Sequence, residues 1–150
     1  MKAHLHLLLL ELSRHYGEAS VRAERISGTA GRNAERLKEA ISYVEANYAR
    51  RLTVGEAARV AGMSPYYFCR MFKLAVGRTF TEFIHLYRIG KAEALIRDTD
   101  LPIARIAESC GFGTAQYLDE LFKRYKGRTP TQLRKERNEA AAAGGTTDLR

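Results

Sequence analysis

Cysteine is scarce: Cys69 and Cys110 are the only two, and they form no Cys-x-x-Cys pair and no Cys/His cluster. That excludes a zinc ribbon and a disulfide framework, and it leads us to expect a reducing, cytoplasmic setting. Long apolar runs are missing as well. The stretch from Leu5 to Leu12 is too short to span a bilayer and contains His6 and Glu11. It has neither the basic start nor the small-residue cleavage site of a secretory signal. Catalytic signatures are absent too: no Gly-x-Ser-x-Gly, no phosphate-binding glycine loop, no paired carboxylates with a nearby histidine. We therefore expect neither an enzyme nor a cofactor. His4, His6 and His15 suggest no metal site, since His4 and His6 fall on different faces of a helix.

Basic charge is what the chain does have. Its 150 residues carry a formal net charge of +8, and the charge is unevenly placed. Residues 51–137 hold 16 Lys/Arg against 9 Asp/Glu, whereas residues 1–50 hold 8 against 6. A basic segment of this kind suits a phosphate backbone as partner, although charge alone fits a generally basic protein equally well.

Apolar periodicity divides the chain into three parts. Leu5, Leu8, Leu9 and Leu12 predict an amphipathic helix over 3–16, and the Gly/Ser-rich stretch 17–32 reads as a linker, so 1–32 is set apart. A helix over 33–48 follows, with Leu37, Ala40, Ile41, Val44 and Tyr48 on one face. It opens a domain over 33–138. The remainder, 139–150, is rich in alanine and glycine and is expected to be disordered.

Within that domain, Thr53 and Glu56 make a capping box that starts a short, small-faced helix, and Gly62 ends it. Ser64 and Pro65 are the N-cap and first residue of the next helix, which stops before Gly77. Helix, tight glycine turn, helix is the grammar of a helix-turn-helix. The grammar recurs. Leu52, Ala58 and Gly62 match Leu101, Ala107 and Gly111 at an offset of 49. Phe72, Lys73, Gly77, Arg78, Thr79 and Thr81 match Phe122, Lys123, Gly127, Arg128, Thr129 and Thr131 at an offset of 50. Between the copies a third capping box, Thr79 with Glu82, opens a long helix to about Ile96. The expected fold is all-α: two helix-turn-helix units joined by a linker helix of roughly 25 Å.

The second helix of each unit has two faces. Phe68, Met71, Phe72 and Ala75 in one, and Leu118, Leu121, Phe122 and Tyr125 in the other, form core stripes. Tyr66, Cys69, Arg70 and Lys73 make a second stripe in the first helix, matched by Gln116, Asp119, Glu120 and Lys123 in the other. Such a stripe is what a helix offers to the major groove. Arg70 suits guanine, Gln116 suits adenine, and the lysines suit phosphate. An ordinary solvated face remains the alternative for either helix taken singly.

Three stretches identify a family: Leu52 through Lys73 (Leu-Thr-Val-Gly-Glu-Ala-Ala-Arg-Val-Ala-Gly-Met-Ser-Pro-Tyr-Tyr-Phe-Cys-Arg-Met-Phe-Lys), Ile106 through Phe112, and Phe122 through Pro130. Over residues 52–137 the chain resembles the DNA-binding domain of the AraC/XylS regulators. The resemblance implies sequence-specific binding of double-stranded DNA, with the two units entering successive major grooves. It places Tyr66, Cys69, Arg70, Ala115, Gln116, Asp119 and Glu120 at bases, and Lys73, Arg78, Lys123, Arg128 and Thr131 at phosphates. It also implies a transcription activator that touches RNA polymerase and carries an effector domain upstream. The helix over 3–16 resembles the end of such a domain and is a candidate for homodimer formation.

The chain departs from the family pattern at Asp119 and Glu120, where a small polar and a basic residue are usual, and at Cys69. The family also includes a fusion to a DNA-repair methyltransferase, but that activity needs a cysteine cluster this chain lacks. Cys69 reads either as a redox sensor or as a small neutral residue. Cys110 reads as buried and His85 as a surface residue. Arg78 and Arg128 are phosphate clamps or solvated charges. Tyr66, Tyr67 and Phe68 could stack on single strands, but Phe68 belongs to the core stripe. A rival function is a helical adaptor that has lost DNA binding, for which Asp119 and Glu120 speak.

Overall fold

In a computed structural model the structure describes residues 29–144. Among them are seven helices and no strand: α1 Thr29–Asn47, α2 Val54–Val60, α3 Pro65–Val76, α4 Phe80–Asp98, α5 Ile103–Ser109, α6 Ala115–Lys126 and α7 Pro130–Gly144. The expected all-α pair of helix-turn-helix units is present as α2–α3 and α5–α6. The helix expected over 3–16 and most of the linker lie outside the described residues.

Two boundaries differ from the sequence reading. Residues 29–32 already belong to α1, although Gly31 costs a helix interior about 1 kcal/mol relative to alanine. At the other end, the segment expected to be disordered from 139 is helical to Gly144. Glu139 and the alanines after it are strong helix formers, so a helix already nucleated by α7 propagates through them.

The described residues divide into two compact units, one holding Val54–Phe80 with residues 29–43, the other Val44–Thr53 with residues 81–144. In the first, Leu37 and Ala40 of α1 are buried, as are Ala57, Ala58 and Ala61 of α2 and its turn. The small residues leave room for three aromatic rings. Phe68, Phe72 and Phe80 have centroids 5.3–5.4 Å apart, and Phe80 stands edge-on to both others.

The second unit is built around Ile89, Ala92, Ile96, Ile106, Leu118, Phe122 and Leu133, all but closed to solvent, with Cys110 buried among them as expected. Arg88, 8% exposed, clamps this unit. Its Nε donates to the Tyr48 carbonyl and its Nη2 to that of Arg50, each at 2.7 Å, just past the end of α1. The rigid guanidinium fork holds both carbonyls with a preorganised geometry, where a lysine would offer a single rotatable point charge. The end of α4 is capped in the same way from α7. Arg137 Nη1 donates to Thr99 O at 2.6 Å and Arg134 Nη2 to Leu101 O at 2.9 Å.

Candidate nucleic-acid interface

The turns before α3 and α6 are built alike. In the first, Gly62 at φ +62° lets Met63 N–H return to Ala58 O at 2.9 Å; in the second, Gly111 at φ +82° lets Phe112 N–H return to Ala107 O at 2.9 Å. This six-to-one bond closes the C-terminus of a helix and reverses the chain within two residues. Helices α3 and α6 then start alike. Ser64 Oγ accepts from Tyr67 N–H at 3.4 Å, and Thr114 Oγ1 from Tyr117 N–H at 3.2 Å. They also end alike, at Gly77 (φ +72°) and Gly127 (φ +70°), whose N–H groups bond Lys73 O and Lys123 O.

These caps fix which face each helix buries. Phe68, Phe72 and Val76 of α3, and Leu118, Leu121 and Phe122 of α6, point inward; Met71, Ala75 and Tyr125 of the expected core stripes are half-buried. On α3 the opposite face exposes Tyr66, Cys69, Arg70 and Lys73, with Tyr66 as much as 79% exposed. Arg70, Lys73, Leu74 and Gly77 line a shallow, open depression there. Arg78, beyond the cap, is exposed.

On α6 the corresponding face exposes Gln116, Glu120 and Lys123, with Thr131 exposed at the start of α7. Ala115 and Asp119 are half-buried, and one Asp119 carboxylate oxygen, Oδ1, is buried with no hydrogen-bond partner. Asp119 therefore lies on the flank of the stripe rather than at its centre, because at 100° per residue it sits nearer the buried Phe122 than Glu120 does. Arg128 is half-buried and its Nη1 pairs with Glu136 at 2.5 Å, so a phosphate would have to compete for it. Lys126 is likewise held by Glu93, at 2.6 Å.

His85 is not the plain surface residue expected. It is half-buried, its Nε2 lies 3.1 Å from the Tyr117 hydroxyl, and the two rings meet edge-on with centroids 6.0 Å apart. Burial, then the charges of Arg88 and Arg124, lower its pKa below the usual imidazole value of 6.5, and Glu82 opposes them weakly. A lowered folded-state pKa means that between that value and 6.5 the unfolded chain binds more protons. The stabilisation held by neutral His85 is thus complete above about pH 6.5 and lost as pH falls through the lowered value. Denaturant midpoints measured from pH 8 to pH 5 should fall on the acid side, and His85→Gln should remove that part of the fall. An unchanged acid slope in the variant would exclude His85 as its source.

Sequence reasoning missed Arg88, the hydroxyl contacts of Tyr67 and Tyr117, and the Arg134–Arg137 cap. One signal was available for the tyrosines, which stand at equivalent repeat positions.

The helix-turn-helix domain family matches residues 57–136. The regulatory protein PocR of Salmonella typhimurium is 31% identical over 104 residues, covering 69% of this chain and 34% of its own. Among solved structures, an AraC-type transcriptional regulator from Chromobacterium violaceum has a TM-score of 0.65 at 27% identity, covering 69% of this chain and 93% of that one. The DNA-binding domain of AdpA, solved with a target DNA, has a TM-score of 0.64 at 25% identity, covering 67% and 90%. The chain spans 34–44% of the length of the first curated relatives it matches. With the family matched over more than half its length and the same two-unit fold in its structural relatives, the chain belongs to the AraC-type family of helix-turn-helix transcription regulators.

Proposed function

We propose that the chain reads double-stranded DNA through α3 and α6, each laid in a major groove of one site. Tyr66, Cys69 and Arg70 meet bases from α3, and Ala115, Gln116, Asp119 and Glu120 from α6. Lys73, Arg78, Lys123, Arg128 and Thr131 meet phosphates. The observation that supports this reading is the matched pair of helices, capped by the same bonds and exposing polar stripes at the same repeat positions. The reading includes a cytoplasmic location, no catalytic activity of its own, and activation through RNA polymerase. It also includes self-association through residues 3–16, which sedimentation of the whole chain over a range of concentrations tests: a monomer throughout removes it. The site itself is tested by selecting duplexes from a randomised pool and footprinting the winner with hydroxyl radical. Two protected patches about 10 base pairs apart on one face are expected. The adaptor reading expects no selection at all.

The two helices read unequally. Arg70 is exposed where it can make two bonds to a guanine, and Glu120 stands in its place on α6. A bidentate contact is worth roughly 1–3 kcal/mol of discrimination. Arg70→Ala should cost that much and relax preference at one base position. Glu120→Arg should strengthen binding to all duplexes if the carboxylate repels phosphate, which is our expectation. If Glu120 instead accepts from a cytosine amino group, the same change weakens the preferred site and moves the base preference. Quantitative binding to single-position variants of the selected duplex distinguishes the two.

A further inference from the structure

Tyr67 and Tyr117 are the third residues of the two reading helices, and each is held twice. The backbone N–H is held by the N-cap oxygen described above. The hydroxyl meets a polar side chain on the helix that precedes the helix-turn-helix in the same unit. Asn33 of α1 donates through Nδ2 to Tyr67 Oη at 2.9 Å, and His85 of α4 faces Tyr117 Oη through Nε2 at 3.1 Å. Tyr67 and Tyr117 are 39% and 37% exposed, so neither is fixed by burial alone. Asn33 is only 6% exposed, on the face of α1 that also buries Leu37, Ala40 and Val44. A buried amide there is costly unless bonded, and the Tyr67 hydroxyl supplies a bond.

The first turn is where a helix frays, because its N–H groups have no partners within the helix. It is also the turn whose side chains reach base edges in a helix-turn-helix. Tyr66 and Gln116 are the immediate neighbours of the doubly held tyrosines. We propose that Tyr67 and Tyr117 are positioning residues for DNA reading, their hydroxyls tying the first turn of each reading helix to the preceding helix of its unit. This rests on the duplex-reading assignment above. The two braces differ in chemistry, an amide in the first unit and an imidazole in the second, while the geometry is repeated.

The test uses the whole chain and two readouts. Tyr117→Phe keeps the ring and removes the hydroxyl. It should lower affinity for the selected duplex about three- to tenfold, the range one hydrogen bond commands, and weaken protection of one half-site only. Tyr67→Phe should weaken the other half. In the free protein, amide exchange at 115–118 should quicken in Tyr117→Phe and at 66–68 in Tyr67→Phe, each without the other. His85→Ala should behave as Tyr117→Phe does. His85→Gln, which keeps a nitrogen near the position of Nε2, should restore both readouts. Unchanged exchange in the first turns of both phenylalanine variants overturns the proposal. So does faster exchange with protection unaltered, and so does lost affinity with exchange unaltered, which would make the hydroxyls direct phosphate contacts. If the wild-type chain selects no duplex, the duplex-reading assignment fails, and the exchange measurement by itself decides whether the braces hold the turns.

Discussion

Raising salt from 50 to 200 mM should weaken binding to the selected duplex on the order of a thousandfold. Each phosphate neutralised by a cation releases condensed counterions, and the logarithm of affinity falls with the logarithm of salt at about 0.9 per contact. About six contacts over a fourfold rise in salt amount to roughly three decades. Lys73, Arg78 and Lys123 are exposed to make such contacts. Arg128 enters only by leaving Glu136, and Lys126 only by leaving Glu93. Those two pairs should keep the slope below what the net charge of +8 suggests. Lys73→Ala should lower the slope by about one and weaken all duplexes alike. Anisotropy titrations across the salt range measure both quantities. A flat response would remove the phosphate contacts and favour an adaptor that binds protein.

Gly111→Ala should cost roughly 2–5 kcal/mol of stability, much of what a domain of this size has. Two effects add. At φ +82° any side chain is strained, by about 1–2 kcal/mol. The added Cβ would also lie 2.8 Å from the carbonyl oxygens of both Tyr48 and Ala49, and backbone held by Arg88 cannot yield cheaply. Overpacking of that kind costs typically 1–3 kcal/mol more. Gly62 is the matched control. It has φ +62° and nothing within 4 Å of its would-be Cβ, so Gly62→Ala should show the strain alone. Urea unfolding of the two variants tests the difference. Equal losses would mean that the approach to the α1 end carries no weight in the second unit.

Whatever is settled within a turn or two of chain is legible in the residues alone. Ser64 as a cap, Gly62, Gly77, Gly111 and Gly127 as left-handed stops, and the stripes of α3 and α6 all depend on neighbours three or four residues away. Local chemistry of that range leaves a readable spacing. The unequal charge of the two reading faces was legible for the same reason, because repeat alignment sets Arg70 against Glu120. Tertiary structure decided the rest. Asn33 with Tyr67, Arg88 with the carbonyls of Tyr48 and Arg50, and Arg137 with Thr99 join residues 34–40 positions apart. Their partners are backbone atoms or side chains that any sequence position could supply, so no spacing announces them. The same holds for Gly111, whose likeness to Gly62 in sequence hides a backbone approach that only packing creates, and for Asp119, which the stripe places beside Glu120 and the fold half-buries.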